Sequence, residues 1–98
     1  MHQTVQDIIN QLKPYQPEKI ILFGSYAYGH PNEDSDVDLI IIKKTKDAFL
    51  ERQKNARLLL KTTTAVDVFV FTPEEFEKVK YTNLFIKEAV ELGKVVYG

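Results

Sequence analysis

The chain has 98 residues, 44% hydrophobic and 28% charged, a composition typical of a soluble globular protein with one domain over residues 1–98. A formal net charge of −1 and a pI near 6.1 argue against direct nucleic-acid binding, and the lack of cysteine excludes disulfides, thiolate zinc sites and cysteine nucleophiles. No apolar run approaches the roughly 20 residues that span a bilayer and no signal-peptide pattern is present, so we expect a cytoplasmic protein without a membrane partner.

The first half of the chain alternates apolar periodic segments with turn residues. Val5, Ile8, Ile9 and Leu12 recur at helical spacing, whereas the later apolar runs are short and rich in β-branched residues. The predicted elements are, in order, a helix over 4–13 that ends before Pro14, a strand over Lys19–Phe23, a turn and short helix over 24–29, a loop over 30–34, and a strand from about Asp36 to Lys43.

The second half predicts three helices and two strands. The elements are a surface helix over 46–61 with Phe49, Gln53, Ala56 and Leu60 on one side, a strand over Val66–Phe71, a helix beginning at Thr72 and Pro73, a last helix with Phe85, Ala89 and Leu92 that ends at Gly93, and a short edge strand over 95–97. This alternation predicts an α/β or α+β fold, with helices packed against a sheet.

Two aspartates stand at the entry of the second strand. Asp36 and Asp38 alternate with apolar residues, so they point to the same face with Cα atoms roughly 6.6 Å apart. Asp67 begins the third strand, and if the two strands are neighbours, three carboxylates meet and need a cation to relieve their repulsion. Two-metal phosphoryl-transfer sites use such a clamp. Singly, Asp36 is equally compatible with a turn residue, and Asp67 with a strand-end residue paired to a nearby lysine.

Two other metal or phosphate motifs are rejected by the sequence. Residues 34–38 resemble the opening of an EF-hand calcium loop, but Leu39 stands where glycine is required and Thr45 where glutamate is required. Gly24 and Gly29 have the spacing of a P-loop, but a His-Pro pair follows where lysine and a hydroxyl residue are needed.

The turn after the first strand is a candidate phosphate site. Gly24 directly follows the strand, and we expect Ser25 to cap the short helix that begins there. Backbone N–H groups at a helix start attract anions, and glycine lets a phosphate approach the main chain. A Gly-Ser pair alone is a weak signal, so its weight comes from the nearby carboxylates.

These residues together resemble the signature of the DNA polymerase β-like nucleotidyltransferase superfamily. The residues that carry the resemblance are Gly24-Ser25, Gly29, Ser35-Asp36-x-Asp38-Leu39 and Asp67. The short length is similar to that of the minimal nucleotidyltransferases, the MntA-type antitoxins paired with HEPN-domain ribonuclease toxins. The resemblance implies a mixed sheet with flanking helices and a site that transfers a nucleoside monophosphate, in the leading hypothesis AMP from ATP, to a hydroxyl group.

The resemblance also implies roles for individual residues. Asp36 and Asp38 would hold two Mg²⁺ ions, Asp67 would complete the site of the ion that activates the acceptor hydroxyl, and Gly24 and Ser25 would hold the nucleotide phosphates.

The chain departs from the family pattern at Tyr28, where many members carry arginine. The charge-neutralising contact is then either missing or supplied by Lys43, Lys44 or a partner. We interpret Tyr26 and Tyr28 as packing residues, and His30 as an exposed bystander.

Three functions remain open on the sequence. The first is an enzyme that adenylylates a tyrosine or other hydroxyl of a HEPN toxin, with which it forms a hetero-oligomer. The second is an antitoxin that neutralises its partner by stoichiometric binding, and the third is a standalone small-molecule nucleotidyltransferase. The small size favours the first, because a chain this short has no second domain to hold a small acceptor.

Overall fold

A computed structural model of the chain describes residues 3–29, 31–32 and 34–98. The helices and strands follow the predicted order closely, and the strand bounds differ from prediction by a residue at most. The elements are α1 (Gln3–Leu12), a 3₁₀ turn (Lys13–Tyr15), β1 (Lys19–Phe23), α2 (Ser25–Tyr28), β2 (Val37–Ile42), α3 (Phe49–Leu58), β3 (Val66–Phe71), α4 (Pro73–Thr82), α5 (Leu84–Leu92) and β4 (Lys94–Tyr97).

The four strands form one mixed sheet in the order β3-β2-β1-β4. Strand β1 is antiparallel to both β2 and β4, and β2 is parallel to β3. The parallel pair is possible because α3 lies between β2 and β3 in the chain and provides the crossover. The predicted α+β class, with a mixed sheet and flanking helices, is therefore confirmed.

The sheet is buried on both faces, and alternation along each strand divides its side chains between two cores. On β2, Leu39 and Ile41 pack in one core with α1 and Ala56 of α3. Ile40 and Ile42 pack in the other core with α4 and α5. Side chains two residues apart on a strand share a face, so Asp38 points to the same side of the sheet as Ile40. The α4–α5 side therefore carries the acidic residue of β2.

Helix α3 is shorter than predicted and faces the sheet differently. Ala56 is buried as expected, but Phe49 remains 41% exposed while the charged Arg52 is buried. The side chain of Gln53 accepts a hydrogen bond from the Val70 N–H at 2.8 Å and donates one to the Val68 carbonyl. It therefore pairs with two backbone groups on the outer edge of β3, much as a neighbouring strand would.

Arg52 is buried because it has several acceptors. Its guanidinium forms a bidentate pair with Glu75, with N–O distances of 2.6 and 3.2 Å, and Nε donates to the Asp47 carbonyl at 2.8 Å. Glu75 is also the third residue of α4, where it forms a capping box with Thr72. The hydrogen bond from Arg52 lowers the pKa of Glu75 below its usual value. One carboxylate thus fixes both the start of α4 and the position of α3.

The inward face of α5 is displaced by one position from the predicted one. Ile86 and Ala89 are buried, whereas Phe85 and Leu92 are more than half exposed. The helix begins at Asn83, whose side chain accepts hydrogen bonds from the N–H groups of Phe85 and Ile86, and it ends at Gly93 as predicted. Among the described residues, none of the helices has the length and apolar character needed to cross a membrane.

Candidate active site

The turn after β1 places Gly24 at the N-cap of α2. Its φ of 74° and ψ of −160° are strongly unfavourable for any other residue, and its carbonyl accepts hydrogen bonds from the N–H groups of Ala27 and Tyr28 at 2.9 and 3.1 Å. Ser25 is the first residue of the helix and its side chain makes no capping hydrogen bond. The expectation that Ser25 caps α2 is therefore wrong, because the glycine conformation already starts the helix.

The sheet register brings two of the predicted carboxylates side by side. Asp38 on β2 lies directly opposite Asp67 on the parallel strand β3, and opposite Phe23 on β1. Asp36 precedes β2 and is exposed. The expectation that β2 and β3 are neighbours is therefore confirmed, and it places Asp38 and Asp67 on one face at the same end of the sheet.

The electrostatics of Asp38 reflect this crowding. The pKa of Asp38 is raised to about 6, most of all by burial, and also by the charge of Asp67, a hydrogen bond with the Asp67 side chain and the charge of Asp36. Two ionised carboxylates in contact repel each other, so Asp38 retains its proton more strongly than an ordinary aspartate. The pair is strained at neutral pH unless a cation compensates it.

Gly24 lies against the same carboxylate. A Cβ atom at Gly24 would overlap the Oδ2 atom of Asp38, so the main chain of the turn and the acidic group are in direct contact. The predicted phosphate turn and the predicted metal clamp are thus two sides of one site. The absence of a side chain at Gly24 is what permits this approach.

Arg57 is a site neighbour that the sequence interpretation missed. Its guanidinium on α3 lies 4.0 Å from the Asp67 carboxylate, with both side chains about half exposed. An exposed pair at this distance contributes little to stability. The basic residue nearest to Asp67 is therefore an arginine from the preceding helix, whereas the alternative interpretation of Asp67 as a strand-end residue named a lysine. The sequence signal that could have placed Arg57 near β3 was the predicted packing of its neighbour Ala56 against the sheet.

Lys43 does not supply the charge that Tyr28 lacks. It follows β2 at the end opposite Asp38, and five residues of strand separate the two by roughly 16 Å. Its ammonium donates to the Tyr15 carbonyl at 2.5 Å and lies 4.7 Å from the centre of the Tyr15 ring. Lys44 is one residue farther along the chain. The proposed role of Lys43 at the acidic site is therefore wrong.

A cleft of about 280 Å³ opens beside Asp38. It is lined by Phe23, Gly24, Tyr28, Asp38, Phe85, Glu88 and Ala89. Tyr26 is half-buried against the core, as expected, but Tyr28 is 48% exposed and belongs to the cleft wall. The interpretation of Tyr28 as a packing residue is wrong. His30, which we interpreted as an exposed bystander, lies outside the described residues.

The donor set fits a hard divalent cation. Carboxylate oxygens are the ligands that Mg²⁺ prefers, and the contact between Asp38 and Asp67 at an open cleft is a site where such an ion relieves repulsion. Within the described ranges, no group of three His, Asp or Glu side chains is already gathered at metal-binding distances. Asp36, exposed and close enough to raise the pKa of Asp38, is available as the third ligand.

Comparison with known proteins identifies the family. The family described as polymerase beta, nucleotidyltransferase matches residues 6–98. This chain belongs to it. The protein is thus a minimal nucleotidyltransferase of the polymerase β-like superfamily, and members of this family typically use a nucleotide substrate and a metal ion.

Two relatives from Methanocaldococcus jannaschii both carry the name "Putative protein adenylyltransferase". One is 33% identical over 98 residues, which cover 97% of this chain and 96% of the relative. The other is 34% identical over 76 residues, which cover 78% of this chain and 75% of that relative. No solved structure is a significant match to the chain.

Proposed function

We propose that this nucleotidyltransferase transfers AMP from ATP, with Mg²⁺, to a hydroxyl group of a partner protein. The observation that carries the proposal is the contact between the Gly24 turn and Asp38, which lies opposite Asp67. A phosphate held at the turn therefore lies next to the carboxylates that hold the metal. The names of both relatives support a protein as the acceptor.

Each site residue has a role in this proposal. The main chain of Gly24 and Ser25 binds the nucleotide phosphates, because the first N–H groups of a helix have no acceptor within it. Asp36, Asp38 and Asp67 would hold two Mg²⁺ ions, which would supply positive charge for the leaving pyrophosphate and lower the pKa of the attacking hydroxyl. Asp67 also accepts the proton of that hydroxyl.

The exposed apolar side chains near the cleft support a macromolecular acceptor. Leu84 precedes the cleft residue Phe85 and is 81% exposed, and Tyr81 at the end of α4 is 74% exposed. Apolar side chains grouped at the corner between two helices are typical of protein contact sites. A small acceptor would need an enclosed pocket instead.

The proposed partner is a HEPN-domain ribonuclease toxin, and the proposed acceptor is one of its tyrosines. This part rests on the resemblance of the chain to the MntA-type minimal nucleotidyltransferases. Modification of the toxin would make the protein an enzymatic antitoxin. A gene for a small helical HEPN protein next to the gene for this chain would support the assignment.

The test is the intact mass of that neighbouring toxin after incubation with the protein, ATP and Mg²⁺. We expect a gain of one or more AMP units with the natural protein and none with the Asp36→Asn/Asp38→Asn variant. Asp34→Asn is the matched control, because Asp34 is an exposed acidic residue of the same segment outside the site.

Two results would overturn the proposal. If the toxin gains no mass and is silenced by the natural protein and by the Asp36→Asn/Asp38→Asn variant alike, the protein neutralises the toxin by stoichiometric binding. If the protein neither modifies nor binds the toxin but adenylylates a small hydroxyl compound, it is a standalone small-molecule enzyme.

A further inference from the structure

The cleft beside Asp38 is lined by two chemically different groups of residues. Gly24 and Asp38 belong to the proposed phosphate and metal site. Tyr28, Phe85 and Glu88, which we call the aromatic part of the cleft, contribute two aromatic rings and a carboxylate. The whole cleft has a volume of about 280 Å³, near the lower limit of small-molecule sites, so it suits part of a nucleotide rather than a second large substrate.

Phe85 is exposed but held in place. More than half of its surface is open to solvent, although burying an aromatic side chain is strongly favourable. Its ring makes T-shaped contacts with Phe23 at 5.7 Å and Phe69 at 6.0 Å between centroids, and these two rings are themselves 6.2 Å apart. The register places Phe23 next to Asp38, so the cluster of three rings adjoins the acidic pair.

Glu88 limits which ligand groups the aromatic part of the cleft accepts. An ionised carboxylate accepts hydrogen bonds and donates none, and it repels phosphate. It lies one helical turn after Phe85 on α5, in the same cleft wall. A ligand group beside Glu88 must therefore carry O–H or N–H donors. The ribose and the amino group of a nucleobase have them, and the phosphates do not.

We propose that the aromatic part of the cleft binds the nucleoside part of the nucleotide. The base packs on the rings of Phe85 and Tyr28, and Glu88 accepts a hydrogen bond from the ribose hydroxyls or from the amino group of the base. This inference rests on the proposed function, because the phosphates must lie at Gly24 for the nucleoside to reach α5. It assigns nucleoside binding to α5, an element that bears none of the three carboxylates.

The test compares two ligands that share the phosphates and differ in the nucleoside. Titration calorimetry with Mg²⁺ measures the binding of ATP and of tripolyphosphate to the intact protein. We expect ATP to bind at least about tenfold more tightly, as base stacking on an aromatic residue contributes. Phe85→Ala should raise the Kd of ATP about tenfold and leave that of tripolyphosphate unchanged.

Control variants separate binding from folding. Leu92→Ala removes an apolar side chain that is about as exposed as Phe85, on the same helix and outside the cleft, and should bind ATP normally. Phe85→Leu keeps apolar packing against Phe23 and loses the flat ring, so it should show the same ATP defect with normal thermal unfolding.

The Glu88 part is tested with Glu88→Ala, with Glu91→Ala as the control on the same helix outside the cleft. Glu88→Ala should weaken ATP but not tripolyphosphate. If 2′-deoxyATP abolishes the difference between Glu88→Ala and the natural protein, the donor is a ribose hydroxyl. If ITP, which lacks the amino group, abolishes it, the donor is that group. Tighter tripolyphosphate binding by Glu88→Ala would show that the phosphates face Glu88 and would overturn the inference.

The outcomes distinguish this inference from the proposed function. If the natural protein binds ATP and tripolyphosphate equally, or if both Phe85 variants bind ATP normally, the nucleoside site is refuted while nucleotide binding stands. If the natural protein binds neither ligand, the proposed function fails and the nucleoside site fails with it.

Discussion

Substituting Gly24 by alanine tests the contact that unites the site. The new Cβ would overlap the Asp38 carboxylate, and the φ of 74° with ψ of −160° lies in a region that costs a non-glycine residue about 1–3 kcal/mol. Displacing the carboxylate adds about 1–3 kcal/mol of overpacking. We therefore expect a loss of about 2–6 kcal/mol in the free energy of unfolding, or a Tm lower by roughly 10–30 °C.

Two comparisons separate the contact from the backbone strain. Gly29 also has a positive φ, of 95°, but a Cβ there would meet no atom within 4 Å, so Gly29→Ala should cost only about 1–2 kcal/mol. In an Asp38→Ala background, Gly24→Ala should lose its overpacking cost and retain only the strain. Urea unfolding of the four proteins in this cycle measures the coupling. A coupling below about 0.5 kcal/mol would refute the contact between the turn and Asp38.

Three further predictions concern the acidic pair and the packing of α3. The raised pKa of Asp38, about 6, means that the folded state binds this proton more tightly than the unfolded state does. The protonated carboxyl therefore stabilises the fold below about pH 4, and this stabilisation is lost as the pH rises through 6. In metal-free buffer, the difference in unfolding free energy between the natural protein and Asp38→Asn should fall by about 1 kcal/mol from pH 4 to 7, a value reduced for solvent screening. A difference that does not change with pH would contradict the raised pKa of Asp38. Arg52→Met should lower stability by about 2–4 kcal/mol in chemical unfolding, because it leaves Glu75 without its bidentate partner, whereas an unchanged midpoint would show that α3 is held by other contacts. Gln53→Glu, which preserves shape but cannot donate to the Val68 carbonyl, should cost about 1–3 kcal/mol by thermal unfolding, and Glu51→Gln, an exposed change on the same helix, should cost less than about 0.5 kcal/mol.

Much of the local structure could be predicted from the sequence because its determinants lie close together in the chain. The strand bounds Lys19–Phe23 and Val66–Phe71 follow from short β-branched runs between turn residues, and both agree with the structure. The capping box at Thr72 is encoded in four consecutive residues. The strand predicted from about Asp36 to Lys43 is observed at Val37–Ile42, so Asp38 lies in the strand as expected whereas Asp36 lies just before it.

The tertiary structure decided which distant groups meet. The parallel register puts Asp38 opposite Asp67, and the turn places Gly24 against that carboxylate; neither contact can be read from local periodicity. From the sequence, Arg52 is expected to be an exposed charge. It is buried because the fold places Glu75, 23 residues later in the chain, beside it. The exposure of Phe85 was likewise not predictable from the sequence. The apolar pattern of α5 is compatible with two helix orientations that differ by a rotation of one residue, and packing against the neighbouring elements determines which face is buried.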